Sequence, residues 1–449
     1  MATKSDLIEA QNFSRRRLLS AFVSGAPGGK ELEPPSPLRP VIAAIALTAI
    51  VVLVGVFYGF IRPGLPQGWE NGKLVLVSDT GARFVTVDGV LHPVINTASA
   101  RLLLPSSEFD VISTDQASLA GTPIGAPLGI VGAPDELPSP NALVNAGWTA
   151  CVADGAALEV RIGGESRVTP ARDRSAVVES DGDLYVLSGE RSFAITATDP
   201  DAVLRAAGIT ALNPTVVPAA WLNLFTPASA LAPLTVDDFG DRVAGTDLRV
   251  GDVVHVAGTP DDERLLVQAE GSLAALTPLA WQLYQLGSGK ALGGEAREVS
   301  ASDVSDLATA ARPAGGEDWP AVGFPSIDAG DRPCAQLDAA EEGRTRTALA
   351  VQGADSEFTE GVHVEPGVGA VVRAGGRGDQ STRLLTLVDA TGTAYAVPGA
   401  TAETLARLGY AADEVGEIGD EWTALLPTGP ALSEEGAGRS PVAAAAEDR

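Results

Sequence analysis

The longest uninterrupted apolar run in the chain extends from Val41 to Ile61 and contains no charged residue. A helix needs roughly 20 such residues to cross the ~30 Å hydrocarbon core of a bilayer. Arg39 precedes the run and Arg62 follows it shortly after its end. Since no second run of this kind occurs, the pattern predicts a single membrane span at 41–61. It separates an arm, residues 1–40, from a much longer C-terminal part.

The arm is basic, and its charges predict the orientation of the span. Positively charged segments next to a span stay in the cytoplasm, so we expect residues from about 62 onward to lie outside. The alternative is a cleaved export signal, because Ser14–Leu19 resembles a twin-arginine motif. The apolar run begins more than twenty residues later, is too long for a signal peptide and lacks an Ala-x-Ala site. An uncleaved anchor is therefore favoured. The basic residues of the arm are Lys4, Arg15, Arg16, Arg17, Lys30 and Arg39.

Within the arm, apolar residues at helical spacing predict a moderately amphipathic helix from about 5 to 23. One interpretation is a membrane-surface anchor assisted by anionic lipid. The other is a helix that docks onto a cytoplasmic partner. The sequence does not choose between them. The residues predicted to dock are Leu7, Leu18 and Phe22 together with Arg15, Arg16 and Arg17.

Beyond the span, a V-x-x-x-G pattern recurs four times and ends at Gly81, Gly182, Gly271 and Gly392. Alternating apolar residues flank each motif, which is typical of two strands joined by a tight turn. Glycine supplies the positive φ that such a turn needs. The pattern predicts four β-hairpins.

Short helical patterns follow the hairpins. The clearest is 402–408, ended by Gly409, and another is 199–207, where Asp199 is a predicted N-cap. Each hairpin-plus-helix unit is too small to bury its apolar face alone, so we expect the units to pack together. The predicted fold is a single-span membrane protein with an α+β extracytoplasmic domain of four hairpin-plus-helix repeats around a central β-rich module.

The boundaries of these parts follow from composition. Two V-G-x-V-V segments, at 250–256 and 368–374, are interpreted as strands of the central module. The polar, Pro- and Gly-rich stretch 301–345 is interpreted as a long connection. The predicted division is repeat 1 at 62–150, repeat 2 at 151–231, central module at 232–264, repeat 3 and linker at 265–345, central module again at 346–383, repeat 4 at 384–430, and a disordered tail at 431–449.

Two cysteines, Cys151 and Cys334, both lie on the predicted outer side. An isolated pair in an oxidising compartment favours a disulfide. Two buried free thiols remain the alternative. Two thiols alone cannot complete a closed zinc site.

Charge narrows the possible partners. The net charge is −27, and the arm is slightly positive, so the acidic excess lies outside. An acidic surface argues against binding nucleic acid or anionic head groups there. Arginine outnumbers lysine 27 to 4, a composition suggestive of a GC-rich, actinobacterial source.

Motifs for catalysis are weak. The histidines at 92, 255 and 363 are scattered and form no paired metal spacing. Asp79-Thr80-Gly81 matches one half of an aspartic protease site, but no second D-[ST]-G occurs. Gly287-Ser288-Gly289-Lys290 resembles a phosphate-binding loop, yet Tyr284 and Ala291 stand where a glycine and a hydroxyl are required. The sequence predicts no catalytic, cofactor-binding or metal-binding residue.

Longer motifs resemble one family closely. They include Gln11–Leu18, Ala21–Glu31, Asp79–Phe84, Asn96–Leu102 and Trp148–Cys151, which are collinear over the first ~150 residues. They are similar to EccB, the single-span membrane component of actinobacterial type VII (ESX) secretion systems. The rest of the chain resembles that family in its predicted architecture more than in its amino-acid sequence.

The resemblance implies a cytoplasmic helix, one span and a periplasmic domain of four repeats with one disulfide. It also implies a structural core subunit of an inner-membrane translocon, with EccC, EccD and EccE as partners and self-association through the outer domain. Some family members are described as ATPases, but the resemblance assigns that activity to no residue of this chain, because a complete phosphate-binding motif is missing. Alternatives are an ATP-hydrolysing enzyme with an atypical nucleotide site and a stand-alone cell-wall-binding anchor.

Overall fold

The computed structural model describes residues 3–24, 38–61, 65–106, 110–209, 213–260, 262–340, 344–376 and 383–441. These residues fall into two compact units, residues 1–64 and residues 65–449. Each unit is described by itself.

The first unit contains two helices, α1 (Lys4–Ser24) and α2 (Leu38–Ile61). Helix α1 lies where the sequence predicts the arm helix. Thr3 begins it by donating its backbone N–H and its hydroxyl to the carboxylate of Asp6, at 2.8 and 2.7 Å. This contact satisfies a free donor at the helix start and places an acidic group at the positive end of the helix dipole.

Helix α2 covers the predicted span. Its segment Pro40–Phe57 is the one stretch among the described residues that is long and apolar enough to cross a membrane. The Thr48 hydroxyl donates to the carbonyl of Ala44 at 2.8 Å, so this polar group needs no water. Its apolar side chains from Val41 to Phe57 are exposed, as expected for a helix whose solvent is lipid.

The second unit is a mixed α+β domain. Its strands, in chain order, are β1 (Leu74–Val77), β2 (Arg83–Val87), β3 (Val90–Pro93), β4 (Val111–Thr114), β5 (Thr149–Ala153), β6 (Ala157–Ile162), β7 (Thr169–Pro170), β8 (Ser175–Ser180), β9 (Asp183–Ser188), β10 (Arg191–Ala194), β11 (Thr215–Val216), β12 (Thr226–Pro227), β13 (Val253–Val256), β14 (Leu265–Val267), β15 (Leu273–Ala275), β16 (Arg297–Val299), β17 (Arg332–Ala339), β18 (Thr345–Gln352), β19 (Gly361–Val364), β20 (Ala370–Gly375), β21 (Leu384–Val388), β22 (Ala394–Val397) and β23 (Gly416–Gly419). Its helices are α3 (Thr97–Leu103), α4 (Pro200–Ala206), α5 (Ala219–Leu222), α6 (Pro278–Leu286), α7 (Ala402–Leu408), α8 (Asp420–Thr423) and α9 (Glu434–Ala437).

Four sheets of this domain share one topology. In each, three consecutive antiparallel strands are followed by a helix, and the next strand returns to pair in parallel with the first. We name them sheet I (order β3-β2-β1-β4), sheet II (β11-β8-β9-β10, extended by β12), sheet III (β15-β14-β13-β16) and sheet IV (β22-β21-β20-β23). Their helices are α3, α4, α6 and α7 in turn.

The four predicted turns occur as expected, with φ of 72° at Gly81, 88° at Gly182, 78° at Gly271 and 80° at Gly392. The turns occupy different positions in the strand order of their sheets. Gly81 and Gly182 follow the first strand of their sheets, whereas Gly271 and Gly392 follow the second. The four motifs are therefore not equivalent positions. Every tight hairpin needs the same kind of residue, so the motif marks a turn without saying which turn it is.

The predicted composition of the central module agrees with the structure only in part. The V-G-x-V-V segments contain β13 and β20, which are the first strands of sheets III and IV. A separate six-stranded sheet, in the order β19-β6-β5-β17-β18-β7, is built from 149–170 and 332–364. One of its faces shares a core with sheets II and IV, which contains the buried Trp148, Trp221 and Trp422. Of the segments predicted for the module, 346–383 contributes β18 and β19 to the six-stranded sheet but β20 to sheet IV, and 232–264 contributes β13 to sheet III. The assignment is mixed because apolar strand patterns do not reveal their pairing partners.

Two further predictions change. The connection predicted at 301–345 contains β17, a full strand of the six-stranded sheet. The sequence prediction missed this strand because Pro333 and the alternating polar residues mask its pattern. The tail predicted to be disordered contains α9 over part of its length, and both Leu432 and Ala437 are fully buried. Residues 442–449 of that tail lie outside the described residues.

Candidate functional site

Cys151 and Cys334 are bonded to each other in the structure. Cys151 on β5 is the direct register partner of Cys334 on β17, with their Cα atoms 4.0 Å apart. Both residues are buried, and 183 positions of sequence separate them. The bridge therefore joins the two chain segments from which the six-stranded sheet is assembled.

A buried carboxylate lies beside the bridge. Glu159 on β6 pairs with Cys151 in register and is 1% exposed. Arg161 Nε donates to its Oε1 at 2.9 Å, the Thr359 amide donates to the same oxygen at 3.2 Å, and Gln352 Nε2 donates to Oε2 at 3.3 Å. Because the charge is paired and its oxygens are hydrogen-bonded, Glu159 stabilises the sheet rather than offering a free reactive group.

The predicted docking residues are solvent-exposed along α1. Leu7 is 64% exposed, Leu18 69% and Phe22 91%, and Arg15, Arg16 and Arg17 are also exposed. Exposed large apolar side chains in such number on one helix are typical of an interaction surface. The structure places all six of these residues on helix α1, and their role in docking stays a prediction.

The loop at 287–290, which resembles a phosphate-binding loop, lies in surroundings that do not suit phosphate binding. Gly287 terminates α6, so the loop lies at the negative end of a helix dipole. The amide of Ser288 donates to the carbonyl of Leu234 at 3.1 Å, and that of Lys290 donates to Gly287 at 3.2 Å. A phosphate loop needs such amides free and a helix N-terminus beneath them. Lys290 is exposed.

The other catalytic motifs have structural explanations. Gly81 closes the turn of its hairpin by donating to the carbonyl of Val77 at 2.7 Å, and Asp79 accepts the Gln116 amide at 3.1 Å. One ring nitrogen of each histidine contacts a backbone carbonyl: Ala126 for His92, Glu263 for His255 and Thr359 for His363. Among the described residues no group of three or more His, Cys, Asp or Glu side chains could hold a metal ion.

No local sequence pattern predicts the junction where α3, α7 and α9 meet. Ala98 and Leu102 of α3 share a core with Leu405 of α7 and Ala437 of α9. Glu403 accepts the backbone amide of Ser106 at 3.2 Å, and this contact, with the nearby Arg407, holds the pKa of Glu403 below its usual value. These contacts connect residues about three hundred positions apart, which no local pattern predicts.

Comparison with known families decides the identity. The family described as type VII secretion system ESX-1, transport TM domain B (EccB), matches residues 1–441. The chain belongs to the EccB family. The match includes the arm, the apolar helix and nearly all of the mixed α+β domain, in agreement with the sequence resemblance.

Curated EccB relatives match over part of their length. An ESX-3 secretion system ATPase EccB3 of Mycolicibacterium smegmatis is 33% identical over 223 residues, covering 45% of this chain and 42% of the relative. A Mycobacterium tuberculosis protein of the same name is 27% identical over 252 residues, covering 51% of this chain and 46% of the relative. The chain thus aligns with less than half the length of these two EccB proteins.

Solved structures show the same fold. A chain in an intact ESX-5 inner membrane complex superposes with a TM-score of 0.67 at 21% identity, covering 98% of this chain and 95% of the other. A chain in the EccB3 dimer from the ESX-3 core complex gives 0.66 at 23% identity, covering 82% and 99%. At these identities the likeness concerns the fold.

Proposed function

We propose that this EccB protein is a structural core subunit of a type VII (ESX) secretion translocon in the inner membrane, where it supports protein export. The observation that carries the proposal is the family match, which includes the arm, the span and the outer domain together. A scaffold role agrees with the geometry, since the polar clusters described above are internally paired.

The proposed placement has the N-terminus in the cytoplasm and the outer domain on the far side of the membrane. The basic arm supports this orientation through the positive-inside preference. The bridge between Cys151 and Cys334 supports it independently, because disulfides persist in oxidising compartments.

The outer domain acts in this proposal as four repeats arranged around the six-stranded sheet. The support is the shared topology of sheets I to IV, each with three antiparallel strands, a helix and a parallel fourth strand. In this arrangement the six-stranded sheet is the central module, since its core includes residues of sheets II and IV. Such a multi-sheet body presents a large rigid surface for assembly.

The proposed partners are subunits of the EccC, EccD and EccE types and a second copy of this chain. One similar structure is of an inner membrane complex and another is of an EccB3 dimer, and these assemblies motivate the proposal. The arm helix is the proposed cytoplasmic contact, through Leu7, Leu18, Phe22 and the arginines at 15–17.

A second candidate is ATP hydrolysis, favoured by the names of the curated relatives, which call them ATPases. The phosphate-like loop at 287–290 opposes it, because its amides are engaged and it follows a helix C-terminus. The structural role is therefore the conclusion.

A genetic replacement in the source organism tests the structural role. Removing the protein should abolish export of the substrates of its own secretion system, and restoring the full chain should restore it. Normal export without the protein would contradict the proposal and leave the stand-alone anchor as the better account.

A further inference from the structure

The disulfide lies on the face of the six-stranded sheet that is turned away from the main core. Successive residues of a strand point to opposite faces. Ala150 and Ala335, which adjoin the cysteines along β5 and β17, belong to the core shared with sheets II and IV. Cys151 and Cys334 belong to a small cluster of their own, which we name the bridge cluster and whose other members are Val168, Ala350 and Phe358. The burial of the bridge therefore depends on this cluster rather than on the main core.

The connection between β18 and β19, residues 353–360, contributes one member of the bridge cluster, and we name this connection the strap. Phe358 is its one large apolar residue, and the others are small or polar. The Phe358 side chain is partly buried against the bridge cluster, whereas its neighbours Glu357 and Thr359 are exposed. Cys151 is 2% exposed and Cys334 0%. The strap thus packs a single aromatic side chain against a buried disulfide.

Side chains of the sheet hold the strap in place. Arg332 Nη1 donates to the carbonyl of Ser356 at 3.0 Å. The guanidinium of Arg332 also lies over the ring of Phe358, 5.6 Å from its centroid. Gln352 Nε2 donates to the carbonyl of Glu357 at 3.3 Å. These contacts fix the backbone of the strap on both sides of Ser356 and orient the aromatic ring.

The residues that hold the strap are neighbours of the cysteines. Arg332 precedes Cys334 by two positions on β17, so the two side chains point to the same face of the sheet. Glu159, the register partner of Cys151, accepts the Thr359 amide at 3.2 Å. Since the strap is mostly exposed and is fastened by side chains, it can open at a lower free energy than the paired strands beneath it.

We propose that the strap is a cover that controls the access of thiols to the bridge, and that its opening, without unfolding of the sheet, exposes the sulfurs. Thiol–disulfide exchange requires a thiolate to reach one of the two sulfurs directly. While Phe358 is packed against the bridge cluster, that approach is closed. The bridge that joins the two halves of the six-stranded sheet therefore persists in the presence of thiols.

The exchange that the strap controls has two steps. A thiolate of the reductant bonds to one cysteine sulfur, the S–S bond breaks, and the other cysteine leaves as a thiolate. With dithiothreitol, the second thiol of the reductant then attacks the mixed disulfide and releases the first cysteine. The reductant closes into its own cyclic disulfide, and two electrons pass to the protein. Both steps need the strap to be open.

The test measures how fast dithiothreitol reduces the bridge in the folded full chain, purified in detergent without denaturant. The thiols formed at successive times are alkylated and counted by mass spectrometry. Phe358→Ala should accelerate reduction at least about tenfold, because the strap loses its apolar contact with the bridge cluster. Phe358→Leu keeps a large apolar side chain and should stay within about threefold of the wild type.

Two control variants separate opening of the strap from other routes. Phe239→Ala removes the same kind of side chain from a position outside the strap, where it is 41% exposed, and should leave the rate unchanged. Leu432→Ala removes a fully buried side chain from a different core, which it shares with Leu405. It should destabilise the whole domain and still leave the rate of reduction unchanged, because local opening does not need the domain to unfold.

Three results would overturn the proposal. Equal acceleration by Leu432→Ala and Phe358→Ala would mean that thiols reach the bridge through unfolding of the domain. A wild-type rate for Phe358→Ala would mean that the strap does not cover the sulfurs. Reduction of the folded wild type as fast as that of the denatured chain would mean that the closed strap leaves the bridge accessible.

Discussion

Arg407 on α7 donates from Nη1 to the backbone carbonyl of Leu102 on α3, at 2.9 Å and across 305 positions of sequence. The same guanidinium forms an ion pair with Glu434 of α9 at 3.0 Å. One side chain therefore connects the helix of sheet I, the helix of sheet IV and the C-terminal segment. The segment that contains α9 thereby closes against the helices of sheets I and IV.

This closure predicts a large effect for Leu432, which is fully buried in the segment that leads to α9. Leu432→Ala should lower the free energy of unfolding by about 2–5 kcal/mol, through lost burial and a residual cavity. Chemical denaturation of the purified protein, followed by tryptophan fluorescence, measures it. The matched control is Leu384→Ala, whose side chain is 40% exposed and should cost distinctly less. Equal effects would mean that the C-terminal segment does not pack as described.

The disulfide gives a second prediction. Free-thiol labelling of the denatured, unreduced protein should detect no thiol, since both cysteines are bonded. Replacing both by Ala should destabilise the outer domain by about 2–5 kcal/mol, because the bridge closes a long loop of the unfolded chain. Two titratable thiols in protein isolated from the cell envelope would contradict the bridge and its oxidising location.

Asp135 gives a prediction for pH. Its hydrogen bonds from Arg83, with a further one from the Thr97 amide at 3.1 Å, hold the pKa of this carboxyl below its ordinary value of 3.8. The folded pKa is the lower one, so this contribution to stability is present above pH 3.8 and is lost as pH falls through the folded pKa. The melting temperature of wild type should exceed that of Asp135→Asn near neutral pH, and the gap should narrow towards pH 2. A gap that stays constant with pH would exclude this ion pair as its cause.

Lys290 tests the enzymatic alternative. Because it is exposed beside engaged amides, Lys290→Ala should leave stability, export and basal phosphate release unchanged. Phosphate release by the purified protein is compared with that of the variant under identical conditions. If the wild type released phosphate and Lys290→Ala did not, the result would establish a nucleotide site at 287–290 and contradict our interpretation of the loop.

Deleting residues 5–24 tests the arm as a whole. The span and the flanking basic residues at 30 and 39 remain, so insertion should be preserved. Assembly should be lost, because the helix proposed to dock onto a cytoplasmic partner is removed. The size of the solubilised complex is the measurement, with membrane content as the control. A deletion variant that enters a full-size complex and supports export would show that the arm is only a surface anchor.

Local features of the fold could be predicted because their signals are local. Helix α7 follows the capping Thr401 and stops at Gly409, whose φ is 99°, and its predicted bounds of 402–408 are those observed. Helix α4 likewise follows the capping Asp199 and begins at Pro200. The apolar run predicted α2 for the same reason, since length and composition alone decide whether a helix can span a bilayer.

Pairing between distant segments could not be predicted. Strands β5 and β17 meet at Cys151 and Cys334, yet nothing near Cys334 distinguishes its strand from a polar connection. The buried Leu432 sits among Ser, Glu and Gly residues whose composition is typical of a disordered tail. Helix α1 could be predicted from its own residues, but what it contacts could not, because a binding partner leaves no local pattern in this chain.

The central claim is that this EccB protein is a structural part of an ESX translocon. The most direct measurement is affinity purification of the tagged full chain from gently solubilised membranes of the source organism, with quantification of co-purifying subunits. We predict stable recovery of the EccC-type motor ATPase together with EccD- and EccE-type subunits in one large complex. Recovery of the protein alone, or of its dimer without any motor ATPase, would contradict the account.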